Sequence, residues 1–216
     1  DDDGESDRGV AVSRGRWKRT EQKKNTPAAM EAKVAMRQRI LEQVKPANVL
    51  DLFCGHRTLW RQVWQFAENY VGCDARPWEL TEPARFVCDN RRLLRCLDLS
   101  AFNVFDLDAF GSPWEQVIIL AARRKWAAGE RGALVVTDGS TLKTRWGQLP
   151  RALALLSGVS ATKMGATTTG AEEIRRIALA GFARRSGVKI LRHWEATGPR
   201  PACLYYAAMC FEGLGP

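Results

Sequence analysis

The sequence has no apolar run of membrane-spanning length; its longest hydrophobic stretches are strand-sized or carry charges within a helix length, so neither a bilayer span nor a secretory apolar region is readable. Histidine is scarce: His56 and His193 lie far apart, and His193 falls in a predicted strand, where a structural role is expected. Six cysteines (Cys54, Cys73, Cys88, Cys96, Cys203, Cys210) lack the paired spacing of a zinc site and the density of a disulfide framework. They read as small buried hydrophobes, and no metal is expected. With neither a span nor a secretory region readable, a cytoplasmic location is expected; the chain does not begin with Met, so a flanking domain outside it stays open.

What is present is a core and a patterned charge. The 216 residues are 45% hydrophobic, enough for one packed domain, and the formal net charge is +9. Residues 1 to 7 hold five acids, whereas residues 14 to 45 hold ten Lys and Arg against three Glu. A second basic region, residues 143 to 192, has ten bases and two acids. Two basic stretches around a more acidic middle suit a catalytic core flanked by surfaces for a polyanion, a nucleic acid, and no membrane partner is expected. Trp17, Lys18 and Arg19, and Lys143, Arg145 and Trp146, combine an indole with bases and are the candidate nucleic-acid contacts. Trp60, Trp64, Trp114 and Trp126 fall at helical spacing, where core packing is expected.

Residues 1 to 25 lack apolar periodicity and read as a mobile charged arm, leaving 26 to 216 as a single domain with a basic insertion at about 139 to 187. Thr26 as N-cap and Pro27 at the first position open a helix that ends before Pro46. Strands are predicted at 48–53, 69–74, 85–88, 102–107 and 132–137, with helices at 58–67, 78–83 and 113–127. Helices near 150–157 and 171–185 precede two strands, 188–194 and 203–211, joined by a turn-rich segment. Alternating β and α units imply a mostly parallel sheet with helices on both faces, here finished by an antiparallel hairpin. That order resembles the Rossmann-like α/β fold of class I S-adenosylmethionine-dependent methyltransferases.

Ligands of open α/β sheets bind beyond the carboxyl ends of the strands. Here the strand ends carry Asp51, Asp74, Asp89, and the pair Asp106 and Asp108. A lone Asp at a strand end is an ordinary turn residue, but four acidic ends in series match a cofactor rich in donors. With S-adenosylmethionine as that cofactor, Asp74 takes the ribose hydroxyls, Asp89 and Asn90 read the adenine edge, and Asp51 lies near the methionine end, oriented by the Gly55 turn. Arg57 at the mouth of that turn is placed to pair with the cofactor's carboxylate. A dinucleotide is disfavoured, because Gly55 is one glycine where its phosphate loop needs three.

The run Phe105-Asp-Leu-Asp-Ala-Phe-Gly-Ser-Pro113 puts two acids and an aromatic before a tight turn. Asp108 is suited to accept the N–H bonds of an exocyclic amine, with Asp106 beside it and Phe110 stacking on the base. The plainer alternative makes Phe110 a core residue and Asp108 a helix cap. Cys54 or Cys88 as a nucleophile is disfavoured by their strand settings. The run resembles the Asp-Leu-Asp-Pro-Phe-Gly-Ser/Thr-Pro motif of the tRNA guanine-N2 dimethyltransferase family. Val135-Val-Thr-Asp138, Gly55-His-Arg57 and Asp89-Asn90 are similar to further elements of it, over roughly residues 48 to 140. The resemblance implies methyl transfer to guanine N2 of tRNA or another RNA. Ala109 stands where that family has proline, and the chain is much shorter than those enzymes. A DNA amino-methyltransferase, and a catalytically silent RNA-binding module with the same fold, remain alternatives.

Overall fold

The computed structural model describes residues 26–77, 85–140, 144, 148–159, 168–198 and 204–215. In chain order the elements are α1 (Pro27–Gln43), β1 (Asn48–Asp51), α2 (Thr58–Gln62), a 3-10 turn (Trp64–Phe66), β2 (Asn69–Asp74), β3 (Arg85–Val87), α3 (Asn90–Cys96) and β4 (Val104–Asp108). There follow α4 (Trp114–Arg123), β5 (Arg131–Asp138), α5 (Arg151–Ser157), α6 (Thr168–Ser186), β6 (Val188–Thr197) and β7 (Tyr205–Gly213). The strands form one sheet in the order β3-β2-β1-β4-β5-β7-β6. Strands β1 to β5 pair in parallel, and β7 runs antiparallel to both β5 and β6, which gives the expected core and terminal hairpin.

Thr26 caps α1 as predicted, its hydroxyl accepting from the Ala29 N–H at 3.3 Å, with Pro27 in the first turn. The predicted helix over 58–67 breaks into α2 and the 3-10 turn at Val63, whose φ of −137° is not helical. Helix α3 is unanticipated: only Leu93 and Leu94 are buried along it, adjacent residues that make no periodic stripe. The helix predicted over 78–83 lies outside the described residues. No helix among them is long and apolar enough to cross a membrane, and no cluster of three or more metal-binding side chains occurs among them.

Side chains alternate across the sheet, so β4 sends Phe105 and Leu107 to one face and Val104, Asp106 and Asp108 to the other. Phe105 and Leu107 join Trp114, Leu120, Leu153, Leu156, Leu179 and Phe182 of α4, α5 and α6. The opposite face packs against Met36 and Ile40 of α1, Leu59 of α2, and Trp64. Its strands align in rows. Val49, Val104, Ala133 and Cys210 make one apolar row, and Asp51, Asp106, Val135 and Ala208 make the next. Asp108, Thr137 and Tyr206 follow at the carboxyl ends. The face thus turns from apolar to acidic toward the end where ligands bind in such sheets.

An acid in that setting needs a cation. Helix α1 supplies two, because Lys33 and Arg37 sit within its buried stripe of Ala29, Lys33, Met36, Arg37 and Ile40. The Arg37 guanidinium grips Asp106 through two N–H bonds of 2.6 Å, and the Trp64 indole donates to the same carboxylate at 2.7 Å. On the other face Arg175 of α6 and the Trp114 indole donate to Asp138 at 2.7 and 2.9 Å. Both ion pairs are fully buried. Breaking one leaves an uncompensated interior charge, so Arg37→Met is expected to lower unfolding stability by about 3–5 kcal/mol. Removing both charges in Arg37→Met/Asp106→Asn, where the amide oxygen still accepts from Trp64, is expected to recover most of that loss. Urea unfolding of the single and double variants measures both.

Candidate active site

The turn after β1 is built around two left-handed residues. Gly55 has φ +46°, which glycine adopts freely, and its N–H donates to Asp74 at 3.0 Å, tying the turn to the end of β2. The other Asp74 oxygen accepts from the Arg76 N–H at 2.8 Å. Arg57 has φ +59°, an uncommon conformation for a residue with a side chain. Its side chain is buried, with 2% of the residue exposed, and neither Nε nor Nη1 has a hydrogen-bond partner among the described residues. A left-handed backbone holding a buried cation with two unfilled donors is an uncommon arrangement in a protein interior. Asp51 lies beneath the turn and is committed internally: its oxygens accept from the Phe53 N–H at 3.1 Å and the Tyr70 hydroxyl at 2.9 Å. Burial, and then the neighbouring Asp106 charge, push its carboxyl well above the usual range.

At the end of β4 the two acids part ways. Asp106, expected to be catalytic, is fully buried with its carboxylate turned into α1 and occupied by Arg37 and Trp64, so it belongs to the scaffold. Asp108 reaches the edge, with 14% of its side chain exposed. Lys33 Nζ straddles it, 2.7 Å from Oδ1 and 2.8 Å from Oδ2; only the Oδ2 contact has hydrogen-bond geometry, and Oδ1 accepts no directed bond. Burial acts to raise the Asp108 carboxyl, but the Lys33 and Arg37 charges outweigh it and hold the group below its ordinary range. Asp108 caps no helix, since α4 begins at Trp114 with Pro113 as its N-cap.

Two residues on, Phe110 is 80% exposed and therefore not a core residue. It lies on the wall of a cleft of about 510 Å³ with Gly111, Ser112, Gly139, Ser140, Gln148, Leu149 and Pro150. The loop after β4 is fastened to the loop after β5 by a 2.8 Å bond from the Gly139 N–H to the Gly111 carbonyl. Gly139 has to be glycine here, because a Cβ would come within 2.6 Å of the Phe110 carbonyl oxygen. Sequence reasoning missed Lys33 and the cleft wall from β5. The signal for the first was available: a Lys and an Arg one helical turn apart inside an apolar stripe, opposite an Asp-x-Asp strand end.

At the end of β3 the outcome is mixed. Asp89 is exposed, caps α3 by accepting from the Arg91 N–H at 2.8 Å, and pairs with the Arg91 guanidinium at 2.6 Å. Its hydrogen bonds with Arg91 lower the carboxyl to about 2. Asn90 is turned inward, donating to the Leu52 carbonyl and accepting from Gln116, both at 2.8 Å, and braces β1 against α4. Trp17, Lys18, Arg19, Lys143, Arg145 and Trp146 lie outside the described residues. Three bases counted toward the basic regions, Lys33, Arg37 and Arg175, are buried against acids and give no outward charge.

Other expectations divide similarly. Trp64, Trp114 and Trp126 are core residues as their spacing implied, whereas Trp60 is half-buried. His193 lies in β6 with Nε2 3.4 Å from Glu195, and partial burial lowers its pKa. Burial pushes the Cys54 thiol up to about 12, which removes it as a nucleophile.

No protein-family model and no curated protein matches the chain. Solved structures do. Trm1 from Pyrococcus horikoshii with S-adenosyl-L-methionine aligns with a TM-score of 0.56 at 20% identity, over 88% of this chain and 56% of that one. The N-methyltransferase NodS from Bradyrhizobium japonicum WM9, in complex with S-adenosyl-L-homocysteine, aligns at 0.54 and 12% identity, over 88% and 89%. TYW2 from M. jannaschii in complex with AdoMet aligns at 0.51 and 12%, over 88% and 78%. The fold is that of the class I methyltransferases. The chain spans little more than half the length of the Trm1 structure.

The unfilled Arg57 yields a prediction that needs no ligand. A buried cation without an acceptor does not stabilise the empty protein, so Arg57→Met is expected to leave the urea midpoint unchanged or raised. A loss of more than about 1 kcal/mol would mean that its guanidinium has a structural partner.

Proposed function

We propose that this chain is an S-adenosylmethionine-dependent methyltransferase acting on an exocyclic amino group of a nucleic-acid base, guanine N2 in tRNA or another RNA. One observation carries the reading: an ionised carboxylate at the end of β4, two residues before an aromatic ring left 80% exposed on the wall of a cleft. Such a ring is an inviting stacking surface for a base, and the carboxylate is an acceptor for the base's amino group. The motif resemblance to the tRNA guanine-N2 dimethyltransferases supports the same choice of base.

The residues after β1 and β2 fit the cofactor. Arg57 has two unfilled donors for its carboxylate, and the Asp74 oxygens, each already holding one backbone N–H, retain lone pairs for the ribose hydroxyls. Asp89 stays exposed at the end of β3 for the adenine side, whereas Asn90 and Asp51 act by bracing the walls. When bound, the cofactor supplies an electrophilic methyl group on sulfur. The chain's part is to hold the amine. An exocyclic amine is a weak nucleophile because its lone pair is delocalised into the ring. Asp108 accepting one N–H favours a lone pair directed out of the ring plane and stabilises the positive charge that develops on nitrogen.

Asp108→Asn keeps the size of the side chain but replaces an acceptor with a donor, and is expected to slow methyl transfer about 100-fold or more with cofactor binding unchanged. Phe110→Ala is expected to raise the KM for RNA more than it lowers kcat. Arg57→Met is expected to weaken cofactor binding, measured by calorimetry, by about 1.5–3 kcal/mol through the lost charge-assisted bonds. Nucleoside mass spectrometry after incubation with cofactor and bulk tRNA tests the substrate. Cofactor binding without any methylated nucleoside would support the silent-module alternative.

A further inference from the structure

The buried stripe of α1 contains two cations where apolar residues are the rule, and the central strand beneath, β4, turns two acids toward it where apolar residues are the rule. Their spacings match. Lys33 and Arg37 are one helical turn apart, a rise of about 6 Å, and Asp106 and Asp108 are two strand residues apart, about 6.6 Å. Arg37 uses Nε and Nη2 on Asp106 and Nη1 on the Lys33 carbonyl, so it fixes the helix backbone at Lys33. Lys33 then spans both oxygens of Asp108, with its ammonium 6.0 Å from the centre of the Tyr206 ring. The Lys33 side chain is 6% exposed.

The two pairs differ in one respect. Asp106 receives three directed hydrogen bonds and has nothing left to offer at the surface. Asp108 receives one directed bond, on Oδ2, and Oδ1 is near the ammonium without accepting from it. A lysine ammonium is a compact charge that leaves the lone pairs of a carboxylate accessible, whereas a guanidinium fork occupies them. The choice of lysine over arginine at the outer position therefore keeps Asp108 charged and fixed while leaving a lone pair of the buried Oδ1 unfilled.

We propose that Lys33 is a positioning residue for the amine-accepting carboxylate: it holds Asp108 ionised and oriented at the strand end, with a lone pair of Oδ1 left unfilled. This rests on the function proposed above. In the transfer step the amine lone pair forms the N–CH3 bond while the C–S bond breaks and its electrons stay on sulfur. The proton of the resulting ammonium leaves to water, because an acid neutralised by Lys33 is a poor base. The groups facing Asp108 are Lys33 and Arg37 from α1, Asp106 from its own strand, Thr137 from β5 and Tyr206 from β7. Of these, Lys33 is the cation in direct contact.

The sign follows from burial. With Lys33 present Asp108 titrates below the ordinary range, and without it burial raises the group, so activity that needs the carboxylate is lost at higher pH as pH falls. In Lys33→Met the acid limb of the kcat profile is expected to move up by about one pH unit or more, with cofactor affinity unchanged. Lys33→Arg is expected to restore the pH limb but not full turnover, because the fork covers Oδ1. Independently of methylation, the Asp108 carboxyl resonance, assigned by its loss in Asp108→Asn, is expected to titrate higher in Lys33→Met than in the parent. If Lys33→Met is too unstable to assay, Lys33→Gln serves for the titration. An unmoved titration overturns the proposal even if the protein methylates nothing. A Lys33→Met variant that is faster than the parent at every pH also overturns it, since Lys33 would then be a plug on the site. A moved titration in a protein that methylates nothing would support the Lys33–Asp108 link while the proposed function fails.

Discussion

Arg37 in contact with Asp106 is the interaction on which the rest depends. Two carboxylates on the central strand face the interior side of the sheet, and a third, Asp51, is beside them in register. Left alone, these acids would repel one another in a low-dielectric layer and could not be covered by a helix. Helix α1 covers them only because its buried stripe brings two cations at matching spacing. Part of the residual strain falls on Asp51, whose carboxyl is pushed toward the neutral form and held by Tyr70. One helix preceding the first strand thus becomes a wall of the site at the end of the fourth.

The buried arginines sort themselves by this logic. Among the described residues Arg37, Arg124 and Arg175 are buried and each meets a carboxylate, that of Asp106, Glu130 and Asp138 respectively. Arg57 is equally buried, sits in a left-handed turn, and has two donors unfilled. The chain satisfies its interior charges wherever they hold elements together, so the exception is informative. Two donors of a buried guanidinium, unfilled among the described residues at the turn after β1, are what the proposed role of Arg57 toward a ligand's anionic group rests on.

Much of the fold was legible in the sequence because its signals are local. The Thr26-Pro27 helix start, the strand runs ending in acid and turn, and the apolar 203–211 strand each announce themselves within a few residues. Helix α3 did not, because two adjacent leucines make no stripe and Asp89 read as a ligand group before it read as a cap. In the candidate site, Asp108 and Phe110 stood out by their neighbours; Phe110 is exposed and Asp108 partly buried at the strand end. The division of labour between Asp106 and Asp108 was not, since it depends on a partner some seventy residues away. The charge count misled for the same reason: a Lys or Arg in a sequence does not say whether it faces an RNA or a buried Asp. Lys33, Arg37 and Arg175 all face inward, whereas Arg151, Arg184 and Lys189 are exposed among the described residues.

Ala109 is the residue whose effect on the site is hardest to read from the sequence, because proline at that position would fix the backbone directly. The structure holds the same segment by other means. The Ala109 N–H donates to the Leu107 carbonyl at 2.8 Å, a three-residue turn with Asp108 at its centre, and a proline has no N–H to make that bond. Ala109 itself is buried, and two residues later the Gly111 carbonyl accepts from Gly139, whose missing side chain lets the two loops close on each other. Asp108 is therefore pinned by a turn on one side, by Lys33 on its carboxylate, and by a loop clasped to β5 beyond it. These three constraints give the carboxylate a defined direction without a proline ring.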